Sequence, residues 1–348
     1  MRKVLVISFI AGMAGIVVLF AWQGIYVPKE ARVDEQRLFS IERGESVFEV
    51  GKHLKKQGFI RSWAFFVLYV IGTGGQADLK AGEYLLSSGM STKEIIERLV
   101  RGEKAFATIR IREGWNIGDI AEYLEEQKVI NADEFFKAVG FPPFSQKENR
   151  SFTSQKDWAF QFDFLGELPE GSTLEGYLFP DTYKAELETS REDTVEMMLQ
   201  NFAKKLAPEI REEIKKQGKT IFEVVTMASL LEKEVKRKEE KELVAGILWK
   251  RLEHGIPLQV DATILYITGN QDGEIFKQDL QIDSPYNTRR YRGLPPGPIS
   301  NPGLESILAA VHPKQSKYWY YLSTPEGETL FSKTLAEHNQ KKAKYLSD

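Results

Sequence analysis

The chain has 348 residues, 42% of them hydrophobic and 28% charged, with a formal net charge of −3. That length allows two or three domains with their own cores, and the small net charge, with Lys and Arg spread along the chain, gives no nucleic-acid footprint. There are no cysteines, which excludes disulfides, thiolate metal sites and cysteine nucleophiles.

From Val4 to Trp22 no residue is charged, and as a helix this run would span roughly 28 Å, enough to cross a bilayer. Arg2 and Lys3 precede it, so the positive-inside rule places residues 1–3 in the cytoplasm and the remainder outside. Trp22 and Tyr26 sit where interfacial aromatics belong. A cleaved signal peptide is the competing expectation, but the run is longer than a usual signal core and no clear A-x-A site follows it. Residues 4–22 are therefore expected to be an uncleaved single-pass transmembrane anchor in a bacterial cytoplasmic membrane, and residues 23–37, polar and carrying a Pro, a tether.

An internal repeat follows. IERGESVFEVGKHLKKQGFI from Ile41 aligns with IREGWNIGDIAEYLEEQKVI from Ile111 at an offset of 70, matching Gly44 with Gly114, Leu54 with Leu124 and Ile60 with Ile130. Each copy reads as a short strand, a Gly turn and a helix. Val47, Val50 and Leu54 share one helical face in the first copy, and Ile117, Ile120 and Leu124 in the second. The unit is similar to a LysM module, a small fold associated with N-acetyl sugar polymers, so 38–140 is expected to be a LysM-like α/β repeat region. A duplicated packing unit without ligand remains open, because a fold alone defines no site. Between the copies, the segment from Ala81 predicts a strand and then a helix capped by Ser91, with Glu94 completing a capping box. Residues 141–158 are polar and turn-rich, marking a boundary or a long surface loop.

Residues 141–348 form the expected catalytic domain. Helices are predicted at 191–216, 220–237, 239–254 and 302–311, the last with Asn301 as N-cap and Pro302 at its first position. Tyr318–Leu322, the turn Pro325-Glu326-Gly327 and Thr329–Phe331 predict a hairpin. The fold class is α+β.

In the helix from Thr220, Ile221, Val224, Ala228, Leu231 and Val235 form one apolar stripe, with Glu232 about 60° from its centre and Glu234 about 100° away on the other flank. A carboxyl group beside an apolar face resists ionisation, which suits a general acid. A structural ion pair with Lys233, Lys236 or a distant Arg accounts for the position at least as well on the helix pattern alone. LEGYLFPDTY from Leu174, LQVDATILY from Leu258 and SPYNTRRYRGLPPGPISNPG from Ser284 are rich in sugar-binding groups. Substrate contacts are expected from Glu175, Gln259, Asp261, Tyr286 and Asn287. Tyr177 and Phe179 could stack on sugars or belong to the core.

MASLLEKEV, LEGYLFPDTY, LQVDATILY, YNT with GLPPGPISNPG, and AAVHP together resemble the YceG-like family of endolytic murein transglycosylases, over nearly the whole chain. The resemblance implies that the first Glu of the EKE segment, Glu232, is the catalytic acid/base. It implies cleavage of the MurNAc–GlcNAc bond within peptidoglycan strands to give 1,6-anhydro ends, ending strand elongation, with no cofactor and no metal. It also implies cell-wall synthases (penicillin-binding proteins) as partners. Asp261-Ala262-Thr263 departs from the family's Asp-Pro-Thr without removing a functional group. The alternatives are a glycan-binding scaffold without activity, or a hydrolytic muramidase using Asp261, Glu175 or Glu234 as a second carboxylate.

Other motifs lead elsewhere. Gly72–Ala77 fits G-x-G-x-x-A but reads as a turn, with no helix following directly. The histidines at 53, 254, 312 and 338 form no i, i+4 ligand pair, and there is no G-x-S-x-G elbow for a serine hydrolase.

Overall fold

A computed structural model describes residues 2–30, 35–74, 79–142, 158–186, 191–270, 273–324 and 327–345, with the side chains of 1–11, 14 and 186 left aside. The chain divides into two compact units, Met1–Ala107 with Glu186–Glu188, and Thr108–Ala185 with Thr189–Asp348. The second copy of the repeat therefore falls in the second unit.

In the first unit, helix α1 (Arg2–Tyr26) is followed by β1 (Arg37–Ile41), α2 (Val47–Lys56), α3 (Trp63–Gly72), β2 (Gly82–Leu86) and α4 (Thr92–Arg101). Strands β1 and β2 pair antiparallel, from Arg37 opposite Leu86 to Ile41 opposite Gly82. Of the face expected from periodicity, Val50 and Leu54 are fully buried and Val47 partly so, against a core that also holds Phe66, Tyr84 and Leu99. Ser91 caps α4 in a reciprocal capping box with Glu94, which satisfies two amides that the helix start would otherwise leave without partners. The C-terminal end of α1 is fixed to this core, where Gly24 lies against the Phe65 ring and its carbonyl accepts from Thr92 Oγ1 at 2.8 Å. Among the described residues no helix is long and apolar enough to cross a membrane. Much of the Val4–Trp22 run lies outside the described side chains.

The second unit opens with the other copy: β3 (Phe106–Arg110), α5 (Ile117–Glu126) and α6 (Ala132–Val139), with β3 paired to β4 (Thr182–Glu186). Both copies thus run strand, helix, helix, strand, and α2 and α5 keep the offset of 70 at both ends. The second copy differs in the long excursion before its closing strand, of which 143–157 lie outside the described residues.

The remaining helices are α7 (Arg191–Lys205), α8 (Pro208–Lys216), α9 (Ile221–Glu234), α10 (Lys238–Glu253), α11 (Ala262–Thr268), α12 (Leu304–Val311) and α13 (Leu335–Tyr345). The single helix predicted over 191–216 is broken at Pro208, which has no N–H to donate and instead starts α8 at its first turn. The predicted hairpin is β5 (Tyr320–Ser323) and β6 (Thr329–Ser332), antiparallel; residues 325–326 of its turn lie outside the described residues.

Helix α9 is the centre of this unit, packed chiefly against α12 and α10. The predicted stripe understates it, because every residue from Val224 to Leu231 is buried. Of its two buried hydroxyls, that of Ser229 is satisfied locally, while Thr226 Oγ1 has no hydrogen-bond partner among the described residues. Ser229 Oγ donates to Thr226 O at 2.7 Å and accepts from Ile299 N at 3.1 Å, while Ser300 Oγ donates to Ser229 O at 3.2 Å. This stitches the Pro- and Gly-rich loop along the helix.

Gly176, at φ +88°, makes the approach of that loop possible, since a Cβ there would lie 2.6 Å from Pro298 and 2.8 Å from Val225. Gly176→Ala combines backbone strain with overpacking, so it should destabilise the protein by roughly 2 kcal/mol. A lowered midpoint in urea unfolding would register this, and an unchanged midpoint would refute it.

Candidate active site

Helix α9 ends in Glu232-Lys233-Glu234, and the two carboxylates leave the helix about 200° apart. Their surroundings differ accordingly. Glu232 Oε1 accepts from Lys241 Nζ at 3.1 Å, and Oε2 accepts from Gly303 N at 2.9 Å and Ser306 Oγ at 2.6 Å. The Lys241 and Glu232 side chains are only 4% and 9% exposed. Glu232 therefore caps the first turn of α12 and pairs with α10, rather than standing against an apolar flank. This explains why α12 begins at Leu304 with Gly303 as N-cap, two residues later than predicted. Asn301, expected to cap it, points elsewhere, donating to Trp115 O at 3.0 Å and accepting from Leu178 N at 2.9 Å.

The Glu113 carboxyl group lies on Gly303, where a Cβ would come within 1.9 Å of its Oε1, so a side chain at residue 303 would have to displace that carboxyl. Partial burial, and then the Glu232 charge, hold the Glu113 carboxyl above its usual range.

On the opposite flank, burial pushes the Glu234 carboxyl up to about 7. The Asp261 charge acts in the same direction, while the Tyr321 hydroxyl, the Ala262 N–H and the Arg289 charge act against it. Asp261 is bound by Arg289 through Nε at 2.8 Å and through Nη2. Gln259 sits at φ +56°, a strained position for a residue with a side chain. Its Oε1 accepts from Arg251 Nη2 at 2.8 Å and its N–H donates to Thr288 O at 3.0 Å. Arg251 is buried against the Tyr320 ring, 5.6 Å from its centroid, with no hydrogen-bond partner for Nε among the described residues.

Of the residues predicted for substrate contact, Asp261 lies beside Glu234, while Gln259 is held by Arg251 and Thr288. Asn287 is buried and shapes the loop, donating to Leu280 O at 3.1 Å and Ile282 O at 2.9 Å and accepting from Arg289 N at 3.1 Å. It thereby orients the arginine that holds Asp261. Glu175 and Tyr286 form a separate group around Tyr266. Glu175 is buried and accepts from Ile117 N at 3.1 Å, Tyr266 Oη at 3.2 Å and Asn301 Nδ2 at 3.0 Å. Burial raises its carboxyl to about 8 against the pull of these donors. The Tyr286 ring lies 5.2 Å from the Tyr266 ring, tilted by 49°. Tyr177 and Phe179 are both buried in the core.

Lys241, Arg251, Ser306 and Tyr321 were not anticipated. Lys241 and Ser306 meet Glu232, Tyr321 meets Glu234 and Arg251 meets the Gln259 amide, all through tertiary packing with no local spacing to signal it. An open groove of about 780 Å³ runs beside this chemistry, with Ala262 and Lys233 on one side and Trp115, Asp119 and Tyr123 on the other. Among the described residues no group of His, Asp or Glu side chains is placed to hold a metal ion.

Residues 39–344 match the model of the YceG-like family, and the chain belongs to that family. It is 34% identical to the endolytic murein transglycosylase of Bacillus subtilis (strain 168) over 88% of this chain and 84% of that protein. It is 30% identical to the endolytic murein transglycosylase of Streptococcus pneumoniae (serotype 2, strain D39 / NCTC 7466) over 99% of this chain and 66% of that one. The crystal structure of a yceG-like protein from Listeria monocytogenes superposes with a TM-score of 0.59 at 31% identity, covering 89% of this chain and all of the other.

Glu175→Ala would leave three buried donors without an acceptor, at a cost of roughly 3 kcal/mol, whereas Glu175→Gln should recover part of it. Thermal unfolding of the two variants should rank them in that order; equal melting temperatures would refute the assignment.

Proposed function

We propose that this chain is an endolytic murein transglycosylase that cuts the MurNAc–GlcNAc bond inside nascent peptidoglycan strands and leaves 1,6-anhydro-MurNAc ends, ending elongation. The observation that carries this reading is membership of the YceG-like family, with two relatives named endolytic murein transglycosylase. We assign the proton transfers to Glu234, which stands beside Asp261, Arg289 and the Ala262 N–H with its carboxyl raised by burial to about 7. A catalytic acid that must next act as a base works best with a pKa near the ambient pH. Family membership and the names of the two relatives set the substrate class.

In the proposed cycle, protonated Glu234 gives its proton to the glycosidic oxygen as the C1–O bond breaks. The resulting carboxylate removes the proton of the muramic acid C6 hydroxyl, whose oxygen bonds to C1. The proton returns to Glu234 and no water is consumed. A muramidase would need a second carboxylate free to activate water, whereas the neighbouring Asp261 is engaged by Arg289. The family resemblance implies Glu232 as the acid, and its three protein donors also fix the end of α9 to α10 and α12; the variants below decide between the two glutamates.

We further propose that Val4–Trp22 anchors the protein in the cytoplasmic membrane with the rest on the extracytoplasmic side, where cell-wall synthases deliver new strands. The uncharged run and the exposed side chains of Ile16–Phe20 and Trp22 support this. The strand–helix–helix–strand order of Arg37–Leu86 with its antiparallel pair supports a LysM-like reading of the first copy.

Full-length protein in detergent, incubated with isolated glycan strands, should yield 1,6-anhydro ends by mass spectrometry. Reducing ends would mark a muramidase, and bound but uncut strands a scaffold. Glu234→Gln should lower the rate at least a hundredfold with folding retained, while Glu232→Gln should lower the melting temperature and leave folded protein active. The reverse pattern would return the chemistry to Glu232.

The donor form of Glu234 exists below about 7 and is lost above it, so the cleavage rate should fall as pH rises through that value. Asp261→Asn removes a charge that raises Glu234 and should move this limb to lower pH by roughly one unit. Arg289→Gln should move it higher. Limbs that stay in place in both variants would exclude Glu234 as the titrating group.

A further inference from the structure

The two copies of the repeat keep the same core and differ at the positions that face outward on their first helix. Val50 and Leu54 correspond to Ile120 and Leu124, all fully buried. Outside, Trp115, Glu122 and Tyr123 stand where the first copy has Glu45, Lys52 and His53. In the first copy Glu45 and His53 bond each other at 2.7 Å. In the second copy the same two places hold Trp115 and Tyr123, with ring centroids 5.1 Å apart and edge to face.

Those residues line the groove. Asp119, Glu122, Tyr123 and Glu126 share one face of α5 at positions i, i+3, i+4 and i+7 and form one wall together with Trp115; Lys233, Ala262 and Tyr266 belong to the other. Ala262 ties the groove to the proposed chemistry, because its N–H reaches the Glu234 carboxyl. Trp115 and Tyr123 are both partly exposed, as a stacking platform requires. The volume of about 780 Å³ lies within the range that encloses a drug-sized ligand.

From this geometry we infer that the second copy is a substrate-binding wall of the glycan groove, seating N-acetylhexosamine rings on the Trp115–Tyr123 pair beside the scissile bond. The first copy, which has neither aromatic, makes no such contact. The carboxylates of Asp119, Glu122 and Glu126 accept from sugar hydroxyls and acetamido N–H groups. This assignment rests on the proposed glycan substrate and adds which residues hold it.

The test separates binding from turnover. Full-length protein carrying Glu234→Gln is titrated with isolated glycan strands and with a β-1,4-linked N-acetylglucosamine hexamer. Adding Trp115→Ala or Tyr123→Ala should weaken binding about tenfold, the scale of one aromatic contact. Tyr123→Phe should retain it, and His53→Ala in the first copy should change nothing. In the active protein Trp115→Ala and Tyr123→Ala should raise KM with kcat held within about twofold, the split expected of groups that bind ground and transition states alike. Circular dichroism melting confirms folding of each variant, with Trp115→Tyr as the milder replacement.

Unchanged binding in both alanine variants, or a fall in kcat at unchanged KM, would overturn the inference. Strands that bind through these residues but are never cut would sink the cleavage reading and leave the groove standing. Strands cut at unchanged KM in the variants would do the opposite.

Discussion

One buried carboxylate joins the three helices around which the second unit is built. Glu232, at the end of α9, receives the ammonium of α10 and both the backbone and hydroxyl donors at the start of α12. Each charge-assisted bond contributes roughly 1.5–3 kcal/mol when made, and removing a partner leaves a buried charge exposed to its full desolvation cost. The geometry of everything beyond residue 232 follows from this junction. With the end of α9 fixed, Lys233 reaches back to Gly114 O at 3.3 Å and Glu234 is carried to the opposite flank beside α11.

The EKE segment thus places two like side chains in different surroundings. Glu232 meets three donors and holds structure; burial of Glu234 outweighs its donors and raises its carboxyl. Asp261 and Arg289 tune the second case from opposite directions, and Asn287 sets the arginine through its N–H at 3.1 Å. The Asp-Ala-Thr departure from the family pattern bears directly on this environment, because what residue 262 supplies to the Glu234 carboxyl is its backbone N–H. A proline at that position could not donate it.

Periodicity and capping chemistry made the elements legible: the repeat offset, the Ser91 box and the final hairpin all follow from local sequence. Assigning chemistry to Glu232 or Glu234 was a different problem. The helical wheel placed both beside the apolar stripe, and the distinction lies in residues far away in the chain, Lys241 and Ser306 for one and Asp261, Arg289 and Tyr321 for the other. No spacing rule encodes such meetings. The helix break at Pro208 is readable in the sequence, since proline lacks the N–H that a continuous helix over 191–216 would need there. The cap of α12 is the opposite case, since Asn301 is a good capping residue that tertiary bonding engages elsewhere.

The same tertiary bonds decide how the second copy can act. Gly114 N donates to Asn301 O at 2.9 Å, Asn301 N donates to Trp115 O at 2.8 Å, and Glu175 receives the first amide of α5. A helix start leaves such amides without intrahelical partners, and here a buried carboxyl from the catalytic part fills that need. A module whose own helix is completed by its neighbour does not swing on a linker. Its outward face is held at a fixed place relative to Ala262 and Glu234, and positioning a substrate for an intramolecular attack depends on that kind of rigidity. Of the two similar copies, the second packs its helix start on Glu175 and Asn301 and turns its outward face to one wall of the groove.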